Sequence, residues 1–443
     1  MDQVVPPAAV DGHNGLRGQE SREGGRPLSR PRSCVNQWVV GAGLAAFLIA
    51  VACLRQWPPS HPAVAVIVVV LLTAGAILAA EHAVGAHPML AGTFARATDW
   101  GRVGVKLLGL AATFAALGLA YWLFPIYRQD QAQVIWTLVS VLGLPMLLLS
   151  PIYVALVDAR MGEPVDGLHA VGSVVLGRWR QIDREALKNY ILGWIVKGFF
   201  LPLMATYSVK DMEWLLSLRL GDVLSGPAVG MYDTSYRLLF FIDVTWAVMG
   251  YMLTLKLFDT HIRSTDPTAM GWIVCLMCYQ PFWGMVQASY INYEDGVYWG
   301  AWLSPFPMLK ITWGVLILAL LVVYVWATLS FGARFSNLTN RGIITNGPYA
   351  WTKHPAYLSK NIAFWLISLP MLNASPLEGA RQCLLLLLLN SVYLARAATE
   401  ERHLMRDPIY REYVLWMHEH GPLARVRRAV GGRMRRSPMI PRS

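Results

Sequence analysis

Two short stretches in the C-terminal part of the chain carry side chains that could do chemistry together. The first, residues 341–360, reads Arg-Gly-Ile-Ile-Thr-Asn-Gly-Pro-Tyr-Ala-Trp-Thr-Lys-His-Pro-Ala-Tyr-Leu-Ser-Lys, and the second contains Arg396, Glu400 and Glu401. A carboxylate accepts hydrogen bonds from hydroxyl or ammonium groups, an aromatic face attracts a cation, and arginine can hold a carboxylate by two parallel bonds. Together the stretches predict a site for a small charged ligand.

Local sequence indicates how each stretch presents these groups. Asn346 and Gly347 tolerate positive φ and the proline after them bars a helix, so the first stretch is predicted to be a loop. On a helix, positions four apart share a face, which makes Arg396 and Glu400 neighbours. If this helix crosses a membrane, ionisable residues near its end favour a functional site, although a snorkelling pair is the alternative.

The rest of the chain predicts helices that cross a membrane. Of the 443 residues, 55% are hydrophobic and only 15% are charged, which lies outside the range of soluble globular proteins. Crossing the hydrocarbon core takes about 20 apolar residues, and runs this long and continuous are helices. We therefore predict an all-α, polytopic transmembrane helix bundle of about ten spans. The apolar runs lie near residues 38–54, 63–80, 105–126, 132–157, 190–208, 236–258, 269–291, 308–330, 361–374 and 380–398.

Lysine and arginine in the loops predict the orientation, because cytoplasmic loops retain positive charge. Ten spans with both the N- and C-termini cytoplasmic place most of these residues on one side, together with the loop at 341–360. The net charge of +11 then comes mostly from segments that meet an anionic membrane surface. No nucleic-acid partner is predicted, since no basic stripe interleaved with aromatic residues lies on a soluble domain.

Composition divides the chain into four predicted segments. Residues 1–36 are rich in Gly, Pro, Arg and Ser and are predicted to form a disordered cytoplasmic tail. Residues 37–300 hold about seven spans, and residues 301–425 hold the last three spans with the cytoplasmic loop. Residues 426–443 are predicted to be a basic, disordered tail.

Four further residues within predicted spans have a structural and a functional interpretation. Cys275 and Cys278 have the spacing of a redox or metal motif, but an apolar helix without a second Cys or His pair favours simple packing, so no metal is predicted. Lys197 and Asp243 either line a substrate cavity or, respectively, snorkel and pair with a neighbouring helix.

The joint pattern resembles the isoprenylcysteine carboxyl methyltransferase family of integral membrane enzymes, whose methyl donor is S-adenosylmethionine. The resemblance covers roughly residues 305–420 and depends on a Gly-Pro-Tyr…His-Pro-x-Tyr loop at 347–357 followed by Glu-Glu-x-x-Leu at 400–404. Two positions depart from the family pattern. Lys353 stands where Arg is usual, and Ser359-Lys360 stands where a small Gly is often found.

The resemblance implies that the last two spans form a hairpin and that the loop folds beside the final helix, enclosing S-adenosylmethionine on the cytosolic side. It implies that Arg396 is the catalytic residue near the acceptor, which is a lipid or a lipid-modified molecule. The implied cofactor-binding residues are Arg341, Gly342, Ile343, Ile344, Tyr349, His354, Pro355, Ala356, Tyr357 and Glu400.

The leading prediction is thus an S-adenosylmethionine-dependent membrane methyltransferase, with carboxyl methylation of an isoprenylcysteine-like substrate implied by resemblance. Methyl transfer from a sulfonium needs no metal, and positioning supplies most of the acceleration. A membrane reductase of the sterol reductase type, using NADPH, shares ten spans and a His-Pro-x-Tyr loop and is the runner-up. A non-catalytic transporter or scaffold is the third. The predicted location is the inner (plasma) membrane of a bacterium or the endoplasmic reticulum membrane of a eukaryote.

Overall fold

The computed structural model describes residues 29–85, 97–219, 221, 223, 228–289, 298–369, 375–422 and 424–425. Over these residues the chain is mostly helical, with fourteen α-helices and one short sheet. The predicted tail segments 1–28 and 426–443 lie outside the described residues. The helices are α1 (Gln37–Gln56), α2 (Pro62–Ala83), α3 (Trp100–Leu123), α4 (Asp130–Arg160), α5 (Gly167–Val175), α6 (Arg184–Ser217), α7 (Ala228–Met252), α8 (Ala269–Leu276), α9 (Phe282–Ser289), α10 (Trp299–Trp302), α11 (Pro307–Leu329), α12 (Pro355–Ser368), α13 (Pro376–Leu404) and α14 (Pro408–His420).

Seven of these helices are long and apolar enough to cross a membrane: α1, α2, α3, α4, α6, α11 and α13. Each of the seven overlaps one of the apolar runs in the sequence. The chain is therefore a multi-pass membrane protein. Its orientation in the membrane stays a prediction.

The other three predicted spans differ from the structure. The run at 236–258 lies mostly within α7, whose charged residues lower its hydropathy. The predicted continuous helix over 269–291 is wrong: α8 ends at Leu276 and α9 begins at Phe282, because Pro281 between them has no N–H to extend a helical ladder. The run at 361–374 overlaps α12, whose 14 residues are too few to cross a hydrocarbon core unaided.

The all-α prediction also misses a pair of two-residue strands. Strand β1 (Ser264–Thr265) pairs antiparallel with β2 (Thr339–Asn340), with Ser264 opposite Asn340. The pairing joins the segment after α7 to the segment after α11. It brings the loop that follows β2 back against the helices of the N-terminal part.

The end of the predicted disordered tail is ordered. Val35 is only 1% exposed, and its carbonyl oxygen accepts a hydrogen bond from Asn346 Nδ2 at 2.7 Å. The hydroxyl of Thr345 donates to the carbonyl oxygen of Pro31, also at 2.7 Å. The last residues of the 1–36 segment therefore hold the loop that begins at β2, which the polar composition of the segment did not reveal.

Proline and capping residues set where the helices beside this loop begin. Pro355 occupies the first turn of α12, where a missing N–H leaves no intrahelical bond unmade. Asp407 caps α14, its side chain accepting from the Ile409 N–H at 2.9 Å. These starts place His354 directly before α12 and Tyr357 on its first turn.

Candidate functional site

A cavity of about 350 Å³ lies among α6, α7, α8, α9, α11, α12, α13 and the loop after α11. The loop at 341–354 and the end of α13 meet at its wall, although they are separated by two apolar segments in the sequence. Six of the predicted site residues line the cavity: Tyr349, His354, Ala356, Tyr357, Arg396 and Glu400.

Glu400 presents a carboxylate to the cavity. The Tyr357 hydroxyl donates to Glu400 Oε2 at 2.8 Å and so fixes one oxygen of the group. Within the part of the chain that the structure describes, Glu400 forms neither an ion pair nor a second side-chain hydrogen bond. Its Oε1 is thus available to accept hydrogen bonds from a bound molecule.

The adjacent glutamate, Glu401, has a different role. Glu401 Oε2 accepts from Lys353 Nζ at 2.6 Å, and its Oε1 lies 2.7 Å from His354 Nε2. Both oxygens are used, and the contacts tie the loop to the end of α13. Because Lys353 needs to reach only one oxygen here, a point charge suffices where a forked guanidinium was expected.

Arg396 lies at the cavity wall between two aromatic rings. Its Cζ is 5.3 Å from the ring centroid of Tyr357 and 5.4 Å from that of Tyr279, distances typical of cation–π contacts. Its Nη2 donates to Asn337 Oδ1 at 2.6 Å. No ion pair joins Arg396 to Glu400, so the pairing of these two side chains that helix spacing allowed is not formed. Among the residues that the structure describes, Arg396 forms no ion pair.

Two partners of Arg396, Asn337 and Tyr279, were missed in the sequence. Asn337 is held by Tyr251, whose hydroxyl accepts from the Asn337 N–H at 3.1 Å and from its Nδ2 at 2.9 Å. Tyr279 lies on the turn between α8 and α9, inside a run that was predicted to be a span. Asn337 is a polar residue in a loop and Tyr279 is a tyrosine in an apolar run. Neither pattern indicates a functional residue.

Tyr349 reaches the cavity from a loop that α14 supports. The Tyr413 hydroxyl donates to the Tyr349 carbonyl oxygen at 2.6 Å. Burial raises the pKa of the Tyr349 phenol well above its usual range, and the nearby Glu400 carboxylate acts in the same direction. Tyr349 therefore presents a neutral hydroxyl and an aromatic face. The rings of His354 and Tyr357, which also line the cavity, stack on each other with centroids 5.6 Å apart and an interplanar angle of 12°.

The other five predicted cofactor-binding residues do not line the cavity. They are Arg341, Gly342, Ile343, Ile344 and Pro355. The two isoleucines are buried, Ile343 against α14 and Ile344 in the main core. Gly342 adopts a φ of +119°, which residues with a side chain rarely reach, so it serves the path of the loop.

Arg341 has a structural role instead of the predicted ligand contact. It is only 2% exposed, and its guanidinium donates to five backbone carbonyl oxygens. These belong to the end of α7 and the segment after it, and to the start of the loop after α11. They are the carbonyls of Gly250, Leu253, Thr260, Ala333 and Phe335. Every donor of Arg341 is used, which leaves none for a cofactor.

The two charged residues predicted within spans, Asp243 and Lys197, lie in different surroundings. Asp243 lines the cavity, and its Oδ2 accepts from the Tyr324 hydroxyl at 2.6 Å. Lys197 does not line it; its Nζ lies 3.3 Å from the ring centroid of Trp194 and donates to Thr254. Cys275 and Cys278 also border the cavity, and among the described residues no group of His, Cys, Asp and Glu is arranged to hold a metal ion.

Comparison with known proteins identifies one region of the chain. No curated protein and no solved structure matches the chain. Residues 310–406, well under half of the chain, match the model of the isoprenylcysteine carboxyl methyltransferase (ICMT) family. The match runs from α11 to just past α13, whereas α6, α7, α8 and α9, which complete the cavity, lie outside it. The predicted resemblance of the C-terminal region to the ICMT family is therefore confirmed.

Proposed function

We propose that the protein is an S-adenosylmethionine-dependent methyltransferase that acts on a lipid or a lipid-modified acceptor. The observation that carries the proposal is the cavity in the ICMT-like region that joins Glu400, Tyr357 and Arg396. Its volume, about 350 Å³, falls within the usual range of small-molecule sites.

The residues of the cavity fit the chemical groups of S-adenosylmethionine. Glu400 Oε1 is an unused acceptor for ribose hydroxyls or for the ammonium group of the donor, and aromatic faces suit a sulfonium cation. When bound, S-adenosylmethionine supplies an electrophilic methyl group. Tyr357 orients Glu400, and Glu401 fixes the loop through Lys353 and His354.

The same cavity has features of an acceptor site. Arg396 holds a positive charge against two aromatic rings, and among the described residues it has no carboxylate partner, so its charge suits an acidic group. Apolar side chains of α6 and α7 continue the wall and suit a lipid chain: Met204, Phe240, Val244 and Ala247. A carboxylate or thiolate acceptor is already a nucleophile at neutral pH, so alignment alone suffices for transfer.

A labelling experiment tests the activity. Purified full-length protein in lipid vesicles is incubated with S-adenosylmethionine labelled in its methyl group and with a membrane lipid extract, and the lipids are analysed by mass spectrometry. The proposal predicts label in a lipid or lipid-modified fraction. Donor binding without any transfer, over a wide range of extracts, would contradict it.

Arg396→Lys should reduce turnover more than donor affinity. Lysine keeps the charge but loses the planar fork that holds a carboxylate by two bonds and stacks between the rings of Tyr279 and Tyr357. We expect methyl transfer to fall roughly tenfold or more, the value of one charge-assisted hydrogen bond. Both quantities are measured in one preparation. An equal loss in both would assign Arg396 to the donor site or the fold, and no loss in either would remove it from the mechanism.

The donor end of the cavity is proposed to face the cytoplasm. Asn346 is a poor labelling site because it bonds to Gln37 and Val35, whereas Arg411 on α14 is exposed. In a background without the five natural cysteines, Arg411→Cys should resist a membrane-impermeant maleimide in intact cells and react after lysis. Trp57→Cys, exposed at the opposite end of α1, is the control and should react in intact cells. Labelling of Arg411→Cys from outside would reverse the orientation.

A further inference from the structure

We propose that Asp243 and Lys360 form a head-group subsite in the same cavity, which selects an acceptor amphiphile carrying an ammonium group and an anionic oxygen. The inference rests on the proposed methyltransferase function and names its acceptor class. Both residues line the cavity, and Asp243 comes from α7, outside the region that matches the ICMT family.

Asp243 has an unused acceptor. The residue is only 9% exposed, and the Tyr324 hydroxyl occupies its Oδ2. Thr328 lies beside the carboxylate, but no hydrogen bond of normal geometry reaches Oδ1 from any described residue. Buried polar atoms in folded proteins nearly always have a partner. A ligand that donates an N–H to Oδ1 would supply the missing one.

Lys360 is a cation that lies among aromatic rings. Its Nζ lies 5.1 Å from the ring centroid of Tyr324 and within 6 Å of three further rings. These belong to Phe240, Phe364 and Tyr393. Among the described residues Lys360 forms no ion pair. Aromatic faces hold a cation without cancelling its charge, so an anionic oxygen is the complementary ligand group.

The arrangement of the two groups indicates one bridging molecule. Both contact Tyr324, Asp243 through the hydroxyl and Lys360 through the ring, yet no ion pair joins them. Because one group is negative and the other positive, a purely anionic head group would meet repulsion at Asp243, and a purely cationic one at Lys360. A head group with both charges satisfies both side chains, while the apolar wall beside them receives the chain.

Lipid binding to the full-length protein tests the subsite. The probes are phosphatidylethanolamine, phosphatidylglycerol and an N-acyl lysine, all with the same acyl chains, and binding is followed by native mass spectrometry in detergent. The ethanolamine lipid carries ammonium with phosphate, the acyl lysine ammonium with carboxylate, and the glycerol lipid phosphate alone. We expect either ammonium-bearing probe to bind at least about fivefold more tightly than phosphatidylglycerol, and the better of the two identifies the anionic group.

Substitutions assign the preference to the two residues. Asp243→Asn should remove the preference for ammonium-bearing probes. Lys360→Gln should weaken the binding of all three probes by roughly tenfold. Asp233→Asn on the exposed face of α7 and Lys310→Gln on α11 are the matched controls and should behave as the wild type. Thermal unfolding confirms that each variant is folded.

Two results would overturn the inference: no preference for ammonium in the wild type, or an unchanged preference in folded Asp243→Asn. S-adenosylmethionine is titrated into the same wild-type preparation to separate the two proposals. Donor binding without ammonium preference rejects the subsite alone. Absence of donor binding rejects the proposed function, whichever lipid is retained.

Discussion

Arg341→Met is expected to lower the free energy of unfolding by at least about 4 kcal/mol, one of the largest effects a single substitution produces. The guanidinium is buried and donates to five backbone carbonyl oxygens from two separate segments. Methionine fills a similar volume but donates nothing, and each buried acceptor left without a partner costs about 1–3 kcal/mol. Arg341→Lys should recover little, because an ammonium offers its donors from one point.

Thermal unfolding of the detergent-solubilised protein measures the effect, with Arg402→Met as the matched control. Arg402 is exposed on α13 and donates to Thr268 at 3.1 Å, so its loss should change the unfolding temperature little. If Arg341→Met unfolds at the wild-type temperature, the carbonyl contacts are not what holds the loop, and Arg341 returns as a candidate ligand.

Glu400→Ala should weaken S-adenosylmethionine binding by roughly tenfold to a hundredfold, the equivalent of about 1.5–3 kcal/mol for a charge-assisted hydrogen bond. Glu400 is the cavity carboxylate at the end of α13, and its Oε1 is not consumed by protein contacts. Tyr357→Phe, which removes only the hydroxyl that orients the carboxylate, should cause a smaller loss in the same direction.

Glu412→Ala on the exposed face of α14 is the control for Glu400→Ala and should leave donor affinity unchanged. Glu401→Ala makes a different comparison, since it releases Lys353 and His354 and should lower thermal stability along with affinity. Wild-type donor affinity in a folded Glu400→Ala protein would remove this carboxylate from the binding site.

Much of the fold could be predicted because membrane insertion leaves a strong signal. Seven apolar runs correspond to helices long enough to cross a bilayer, since the hydrocarbon core sets both length and composition. The run at 269–291 failed because its composition is apolar throughout while its backbone turns before Pro281. Hydropathy indicates whether a segment is apolar, whereas the break between α8 and α9 depends on the missing N–H of Pro281.

The candidate site was predictable only where a motif specified it. The loop containing His354 and the helix end containing Glu400 do meet, as their shared resemblance implied. Arg341 was assigned to the ligand because the family resemblance implied it, and only the folded chain shows the carbonyls that surround it. Asp243 was noticed as a charge within a predicted span, but only the fold shows that it lines the cavity. Asn337 comes from a segment whose place at the cavity depends on tertiary packing alone.

Calorimetric titration of the full-length wild-type protein with S-adenosylmethionine and, separately, with NADPH tests the central claim most directly. The proposed function predicts saturable binding of one S-adenosylmethionine per chain, displaced by S-adenosylhomocysteine, and no binding of NADPH. Binding of NADPH without S-adenosylmethionine would instead favour a membrane reductase, and a folded protein that binds neither would favour a transporter or scaffold. Either result would contradict the assignment of the cavity to a methyl donor.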